Sequence, residues 1–235
     1  MSKKVVIGFS GGLDTSYCVK YFTDELKYEV HSIIVNTGGF SNEELDQIEK
    51  HAKTLGVKSH TTIDATNSYY NSIIKYLIYG NVLKNNTYPL SVSAERVSQA
   101  LHIAEHVKKI GANAVAHGST GAGNDQVRFD MIFHIMIPGI EIITPIRDMQ
   151  LSRQQEIDYL KSKGVKMNFE KSVYSINKGL WGTSVGGKET LSSNGMLPEE
   201  AWPTQLSKHN PEKVKLHFEK EDRRSVNRKK FRRPV

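Results

Sequence analysis

The stretch from Lys3 to Cys18, KKVVIGFSGGLDTSYC, decides the fold. Val5, Val6 and Ile7 form a continuous β-branched run, the look of a strand buried on both faces of a parallel sheet. The run ends abruptly at Ser10, Gly11 and Gly12. A glycine pair lets the chain turn steeply and bares backbone N–H groups where a helix should begin. Unpaired amides and the helix dipole both favour negative charge, so the stretch predicts an anion site. A bare Gly-Gly after a strand reads as an ordinary βα turn whose glycines only relieve strain. This string carries more than a turn requires: a hydroxyl on Ser10, a carboxylate on Asp14 able to hold a cation, and further donors on Thr15 and Ser16 within the first helical turn. Such a loop suits a polyphosphate carrying a metal ion. It is not a Walker A loop, because the G-x-x-x-x-G-K-[ST] spacing and its lysine are absent, and the lack of G-x-G-x-x-G removes the best support for dinucleotide binding.

A chain of 235 residues can bury a real core and hold one large domain, or one complete domain and part of another. Charged residues at 24% and hydrophobic residues at 38% suit a globular protein. No signal peptide opens the chain and no apolar run reaches membrane-spanning length, so no membrane partner is expected. Cys18 is the single cysteine, which rules out an intramolecular disulfide and fits a reducing cytoplasm. It follows the loop on the first helix and reads as a small core residue. The net charge of +7 is concentrated. Lys220 to Val235 carries eight basic residues against Glu221 and Asp222, a local net of +6, so the basicity belongs to a C-terminal tail at 220–235 and not to the main domain.

Along the chain, helix is expected from Leu13 to Leu26 and strand from Glu29 to Val35. Ser41 with Glu44 three residues on forms a capping box that should start a helix running to about Leu55, ended by Gly56. Val57 to Ile63 reads as a third strand, Thr66 to Tyr79 as helical, Ser93 to Ile110 as a helix stopped by Gly111, and Ala112 to His117 as a short buried strand. Gly139 to Ile146 supplies another strand and Ser152 to Lys163 another helix. Alternation of this kind predicts an α/β fold with a doubly wound parallel sheet. Ligands of such sheets collect beyond the carboxyl ends of the strands, near a switch in strand order. Beyond Gly164, glycine, serine, asparagine and proline crowd the segment from Tyr174 to Pro211, and no long periodic helix is expected there. The domain boundary falls near 165 to 172, giving a first domain at 1–168, a second segment at 169–219 with Val214 to Phe218 as a possible strand, and then the tail.

The second concentration of polar groups is AHGSTGAGNDQVRF, from Ala116 to Phe129. Its glycines allow close backbone approach, while Thr120, Asn124, Asp125 and Arg128 offer a hydroxyl, an amide, a carboxylate and a guanidinium. A zwitterionic amino acid needs that mixture, with a cation for its carboxylate and acceptors for its ammonium. Asp125 alone would read as a cap for a helix at Gln126. His117 could touch the site, but a histidine ending a buried strand is more often structural. Because Ser10 to Ser16 and Gly118 to Asp125 both follow strands, they should meet at one cleft.

Taken together, SGGLDTS, AHGSTGAGNDQVRF, YPLSVSAER and YSINKGLWGTS resemble the argininosuccinate synthase family, of the ATP-pyrophosphatase group with its modified P-loop. The first motif marks only the wider group; the second, at its distance from the first, points to this family, and the likeness runs from Lys3 to about Phe218. The resemblance implies a nucleotide-binding domain of the ATP-pyrophosphatase type followed by part of an α+β synthetase domain. It implies that Gly8, Phe9, Ser10, Gly11, Gly12, Leu13, Asp14, Thr15, Ser16, Val35 and Gly118 bind ATP, and that Thr120, Asn124 and Asp125 bind aspartate. Tyr88, Ser93, Asn124, Arg128, Ser175 and Ser184 would bind citrulline. Mg²⁺ would accompany ATP, with its protein ligands unassigned. The implied reaction joins citrulline to aspartate through a citrullyl-adenylate, releasing pyrophosphate and AMP, in arginine biosynthesis. No covalent enzyme nucleophile is required, which agrees with the lack of an obvious Ser/His/Asp arrangement.

The chain departs from the family pattern in places. VNTGGF, from Val35 to Phe40, stands where many members carry an Asp and a Gly-Gln pair, which puts the adenosine contacts in question. Members also continue beyond this chain's last residue, through further citrulline contacts and a C-terminal helix used in homotetramer assembly, so a C-terminally shortened form without that helix is expected. FEKEDRRSVNRKK resembles a hairpin region of the family, with Glu221 and Arg228 at expected glycine positions, where they should strain or abolish the turns. Two other functions compete with the ligase: a non-catalytic ATP- and amino-acid-binding remnant, and a tRNA-modifying member of the same group. Only the basic tail supports the latter; the chain has no C-x-x-C, and specific nucleic-acid binding is not expected.

Overall fold

The computed structural model describes residues 3–167, 169, 174–219, 222–227 and 229–230. Strands β1 (Lys4–Gly8), β2 (Glu29–Asn36), β3 (Ser59–Asp64), β4 (Ala114–Ala116) and β5 (Glu141–Ile143) form one sheet in the order β3-β2-β1-β4-β5, with every pair parallel. The expected doubly wound sheet is therefore present. β1 pairs Val5 with Val30 on one side and with Ala114 on the other. The chain builds outward from β1 to β3, then returns through a long helical crossover to place β4 on β1's other side. The switch in strand order thus lies between β1 and β4, where ligand crevices of such sheets form.

Val5, Val6 and Ile7 are each fully buried, and alternation sends them to opposite faces. Val5 and Ile7 join α1 (Leu13–Asp24), α2 (Asn42–Thr54) and α8 (Arg153–Ser162) through Cys18, Val19, Phe22, Leu55 and Leu160. Val6 joins α5 (Ser91–Ile110) and α6 (Asp125–Met136) through Ile103, Val107, Val115 and Phe133. Burial of each such side chain contributes about 2 kcal/mol. Cys18 is the core residue its position suggested.

Local signals placed several helix ends. Ser41 and Glu44 form the reciprocal capping box, with Glu44 N donating to Ser41 Oγ at 3.2 Å and Ser41 N to Glu44 Oε2 at 2.7 Å. Gly111 closes α5 in the left-handed conformation, φ +62°. Ser152 caps α8 in the same reciprocal manner with Gln155.

Other elements differ from expectation. The helical stretch after β3 is interrupted: α3 (Thr66–Tyr69) and α4 (Lys75–Tyr79) flank a π-helical turn at Tyr70–Ile74. Tyr69 and Ile74, five residues apart, both reach the cluster containing Ala94, and the wider π turn puts that spacing on one face. β5 is shorter than Gly139 to Ile146, because Pro145 opens the short helix α7 (Pro145–Asp148), whose Asp148 takes the Thr144 hydroxyl at 2.7 Å. The segment beyond Tyr174 holds a hairpin, β6 (Ser175–Gly179) with β7 (Gly182–Gly186), which no β-branched run announced. Its tip is docked by long-range bonds: Leu180 N donates to Thr37 O at 2.9 Å and Trp181 Nε1 to Pro89 O at 2.7 Å. It packs closely on the end of β2, where a Cβ on Gly39 would overlap the Lys178 carbonyl.

The C-terminal segment also differs from a simple tail. β8 (Leu216–Glu219) pairs antiparallel with β9 (Asp222–Val226), and β9 with β10 (Lys229–Lys230). Glu221 and Arg228, expected to strain or abolish turns here, lie outside the described residues. At the second turn Asn227 takes the positive φ, +47°, and its Oδ1 accepts from Lys215 N at 2.8 Å. Asparagine tolerates that conformation better than most residues do. Among the described residues no helix is long and apolar enough to cross a membrane.

Replacing Gly39 by alanine should displace the hairpin without unsettling the sheet. Hydrogen exchange is expected to accelerate across Ser175–Gly186 while Val5 to Ile7 keep their protection; unchanged hairpin exchange would show that Gly39 does not hold it.

Candidate functional site

Gly11, at φ +76°, turns the chain after β1, and Gly12 forms the N-cap of α1 in extended conformation with no side-chain capping bond. The closest substitute is weak, Gly12 N to Ser10 Oγ at 3.5 Å. α1 therefore offers uncapped amides to an anion. Thr15 Oγ1 donates to Gly12 O at 3.3 Å and lies 3.4 Å from Ser10 Oγ, so both hydroxyls stand on the loop. Ser16 is different. It is fully buried, donates to Gly12 O at 2.7 Å and accepts from His51 Nε2 at 2.9 Å, which spends its hydroxyl on the loop's underside.

The loops after β1 and β4 meet as expected. A Cβ on Gly118 would stand 3.2 Å from Asp14 Cβ and Thr15 Cγ2, so the second loop lies against the first with no room for a side chain. Between them opens a cleft of about 1090 Å³. Gly8, Phe9, Ser10, Gly11, Gly12, Leu13, Asp14, Thr15, Val35, Gly118, Thr120 and Asp125 line it. Ser16, Tyr88, Ser93, Asn124, Arg128 and Ser184 are not among its lining residues, and the Ser175 side chain lies outside the described part of the structure.

Several of these have visible local work. The Tyr88 hydroxyl accepts from Val92 N at 3.0 Å and Ser93 N at 3.3 Å, capping α5, whose N-cap Leu90 has no side chain to do so. Asp125 does not cap α6 through its side chain; it is the first residue of that helix, after the N-cap Asn124. Its carboxylate is gripped on both sides. Arg96 Nε donates to Oδ2 at 3.0 Å and Arg128 Nη1 to Oδ1 at 2.5 Å.

Arg96, inside YPLSVSAER, is the node of the site. It donates also to Gln99 Oε1 at 3.0 Å and to Asn177 Oδ1 on the hairpin. Its neighbour Glu95 is buried; Oε1 accepts from Thr37 Oγ1 at 2.9 Å and Gln99 Nε2 at 3.1 Å. Burial pushes the Glu95 carboxyl upward, and the Arg96 charge opposes that shift. Arg153 and Lys178 add positive charge to the cleft lining. No local pattern marks these positions, since α5, α8 and the hairpin meet only in three dimensions.

Beneath the phosphate-type loop lies a like-charged pair. Asp14 shares a hydrogen bond with Glu156 of α8, and the Glu156 side chain is buried with its Oε2 unpartnered. Burial first, and then the adjacent Asp14 carboxylate, pushes Glu156 up to about 8; burial raises Asp14 as well. One proton between the two relieves the repulsion. Among the described residues, no three His, Cys, Asp or Glu side chains gather to hold a metal ion. Asp14 lines the cleft at the loop and is the carboxylate there that could hold a Mg²⁺ ion beside phosphate and water oxygens.

Residues 4–166 match the family described as arginosuccinate synthase N-terminal HUP domain. The chain belongs to the argininosuccinate synthase family. Its relatives include the argininosuccinate synthases of Methanocaldococcus jannaschii, 42% identical across 86% of this chain and 51% of the relative, and Sulfolobus acidocaldarius, 38% identical across 92% and 55%. That of Xylella fastidiosa is 36% identical across 86% and 53%. The chain spans about half the length of the curated relatives it matches. The family's HUP domain coincides with the five-stranded parallel sheet and its helices, and the hairpin that completes the cleft lies beyond it.

The Asp14–Glu156 pair has a pH signature. Glu156 releases its proton in the unfolded chain near 4.5 but in the folded chain only near 8, so its contribution to stability is whole below 4.5 and is lost as pH rises through about 8. Glu156→Gln should remove that loss. Unfolding titrations from pH 5 to 9 are expected to show the variant gaining on the parent as pH rises; a constant difference would show that the pair holds no proton.

Proposed function

We propose that this chain binds Mg-ATP, citrulline and aspartate and carries the citrullyl-adenylate chemistry of argininosuccinate synthases. The observation that carries the reading is the contact of Gly118 with Asp14 and Thr15, which joins an uncapped helix N-terminus to a loop bearing Thr120 and Asp125. In the reaction the ureido oxygen of citrulline attacks the α-phosphorus of ATP and pyrophosphate departs; the aspartate amine then displaces AMP. The amides of Gly11 to Thr15 hold the phosphates and stabilise charge on the leaving pyrophosphate. Mg²⁺, when bound at Asp14, neutralises phosphate charge. Thr120 and Asp125 hold aspartate, with Asn124 beside them. Asp125 is able to accept an ammonium because each oxygen keeps a lone-pair direction after bonding Arg96 or Arg128. The unspent part of the Arg128 fork takes the citrulline carboxylate, and Tyr88, Ser93, Ser175 and Ser184 complete that side. Bringing three substrates into register is the larger share of the work. Residues 1–168 form the nucleotide-binding unit in this reading, and 169–219 belong to a second.

A second reading is ATP and amino-acid binding without turnover. The placement of Tyr88, Ser93 and Ser184 outside the cleft lining favours it. A pyrophosphate-release assay with ATP, citrulline and aspartate, each amino acid omitted in turn, separates the two. Citrulline-dependent release supports the ligase; ATP binding without release supports the second reading.

Asp14→Asn should weaken Mg-ATP binding about tenfold, the scale of one charged contact, with the fold intact. Equal affinity by calorimetry would remove Asp14 from the site. Arg128→Lys should raise the citrulline KM about tenfold or more, because a compact ammonium lacks the planar fork that meets Asp125 with one edge and a carboxylate with the other, while ATP affinity changes little. An unchanged citrulline KM in the release assay would place the citrulline carboxylate elsewhere.

A further inference from the structure

A loop containing Gly118, Gly121 and Gly123 has much backbone entropy to lose, and no strand or helix ladder runs through it. Its backbone is instead tied at three points by side chains. Ser119 N donates to His117 Nδ1 at 3.3 Å, and Gln126 Nε2 donates to Gly121 O at 2.6 Å and Gly123 O at 3.2 Å. These anchors are joined to one another behind the loop. With Nδ1 accepting, neutral His117 carries its proton on Nε2 and donates it to Asp130 Oδ1 at 2.9 Å. Asp130 Oδ2 accepts from Arg147 Nη1 at 2.6 Å, and the same Nη1 donates to Gln126 Oε1 at 3.2 Å. The relay therefore runs from Ser119 through His117, Asp130, Arg147 and Gln126 back to Gly121 and Gly123.

Each member is held in turn. His117 is buried and stacks on Phe129 with ring centroids 5.4 Å apart. Arg147 Nε reaches Asp148 Oδ1 at 3.3 Å. Burial opposes ionisation of Asp130, yet the hydrogen bonds from His117 and Arg147 outweigh it and hold its carboxyl at about 2. Asp130, Arg147 and Gln126 do not line the cleft.

We propose that Asp130 and Arg147 are positioning residues for the amino-acid site: through His117 and Gln126 they hold the loop backbone in the shape that sets Thr120 and Asp125 for aspartate. The proposal rests on the aspartate-binding reading above. Ordering the loop during folding spares binding that cost. Arg147 suits the task because one planar group meets Asp130, Gln126 and Asp148 at once, which a lysine cannot do.

The test compares the full chain with Arg147→Lys and with Gln126→Ala, which removes the loop's rear tie without stranding a buried charge. L-aspartate affinity, Mg-ATP affinity, thermal stability and hydrogen exchange of residues 118–124 are measured on each. Both variants are expected to weaken L-aspartate binding about tenfold, the scale of one lost charged hydrogen bond. Loop exchange should quicken, while Mg-ATP affinity stays within about twofold, because the first loop has its own ties. Parent-like loop exchange in both variants would overturn the proposal, as would a parallel fall in both affinities and in stability. If the parent itself binds no L-aspartate, with or without Mg-ATP, the aspartate reading fails; loop exchange in the variants then still decides whether the relay orders the loop.

Discussion

The cleft depends on the parallel pairing of β1 on both of its edges. Because β2 and β4 flank it and the chain leaves β1 in one direction and returns on the other, the segments after β1 and β4 cannot be covered by a crossover at that point. The fully buried Val5, Val6 and Ile7 anchor that pairing from both faces. Everything polar in the site hangs from this apolar arrangement: the uncapped start of α1 on one side, the glycine loop on the other, and the contact at Gly118 that makes them one surface.

Charge is organised around that surface in two opposite ways. On the α5 and α6 side, Glu95, Arg96, Asp125 and Arg128 alternate in sign and satisfy one another, with Thr37, Gln99 and Asn177 filling remaining positions. Glu95 is buried and the other three are partly so, and pairs withdrawn from water add little net stability but make the loss of a member costly. They specify geometry, and here they tie the hairpin and α6 to the same helix. Under the first loop the charges are alike, Asp14 beside Glu156, and a proton takes the place of a partner. The two arrangements give the cleft a rigid wall and a floor sensitive to charge.

The hairpin is docked through two glycines at the end of β2. Gly38 and Gly39 remove the side chains that would collide with Lys178 and Leu180, and the Thr37 carbonyl takes the Leu180 amide. The end of β2 is thereby a docking edge for β6 and β7, and Asn177 and Lys178 are carried to the cleft.

The order of elements, the parallel sheet, the anion-type loop and its meeting with the second glycine loop were all legible in the chain. Each is encoded locally: a β-branched run, a glycine pair, a capping serine with its acid three residues on. The π turn and the hairpin were not, because the spacing of Tyr69 and Ile74 and the contacts of Thr37 and Pro89 act only once distant segments pack; the end of β5 was marked locally by Pro145. The same division runs through the candidate site. Ser10, Asp14, Thr15 and Thr120 stand on loops whose shape their neighbours dictate. Arg96, Glu156, Asp130 and Arg147 could not be singled out from their surroundings in sequence, since a charged residue on a helix reads as solvated surface until the fold shows what faces it. Tertiary structure alone decided which charges would be buried together, because their pairing free energy depends on distances that no run of neighbouring residues specifies.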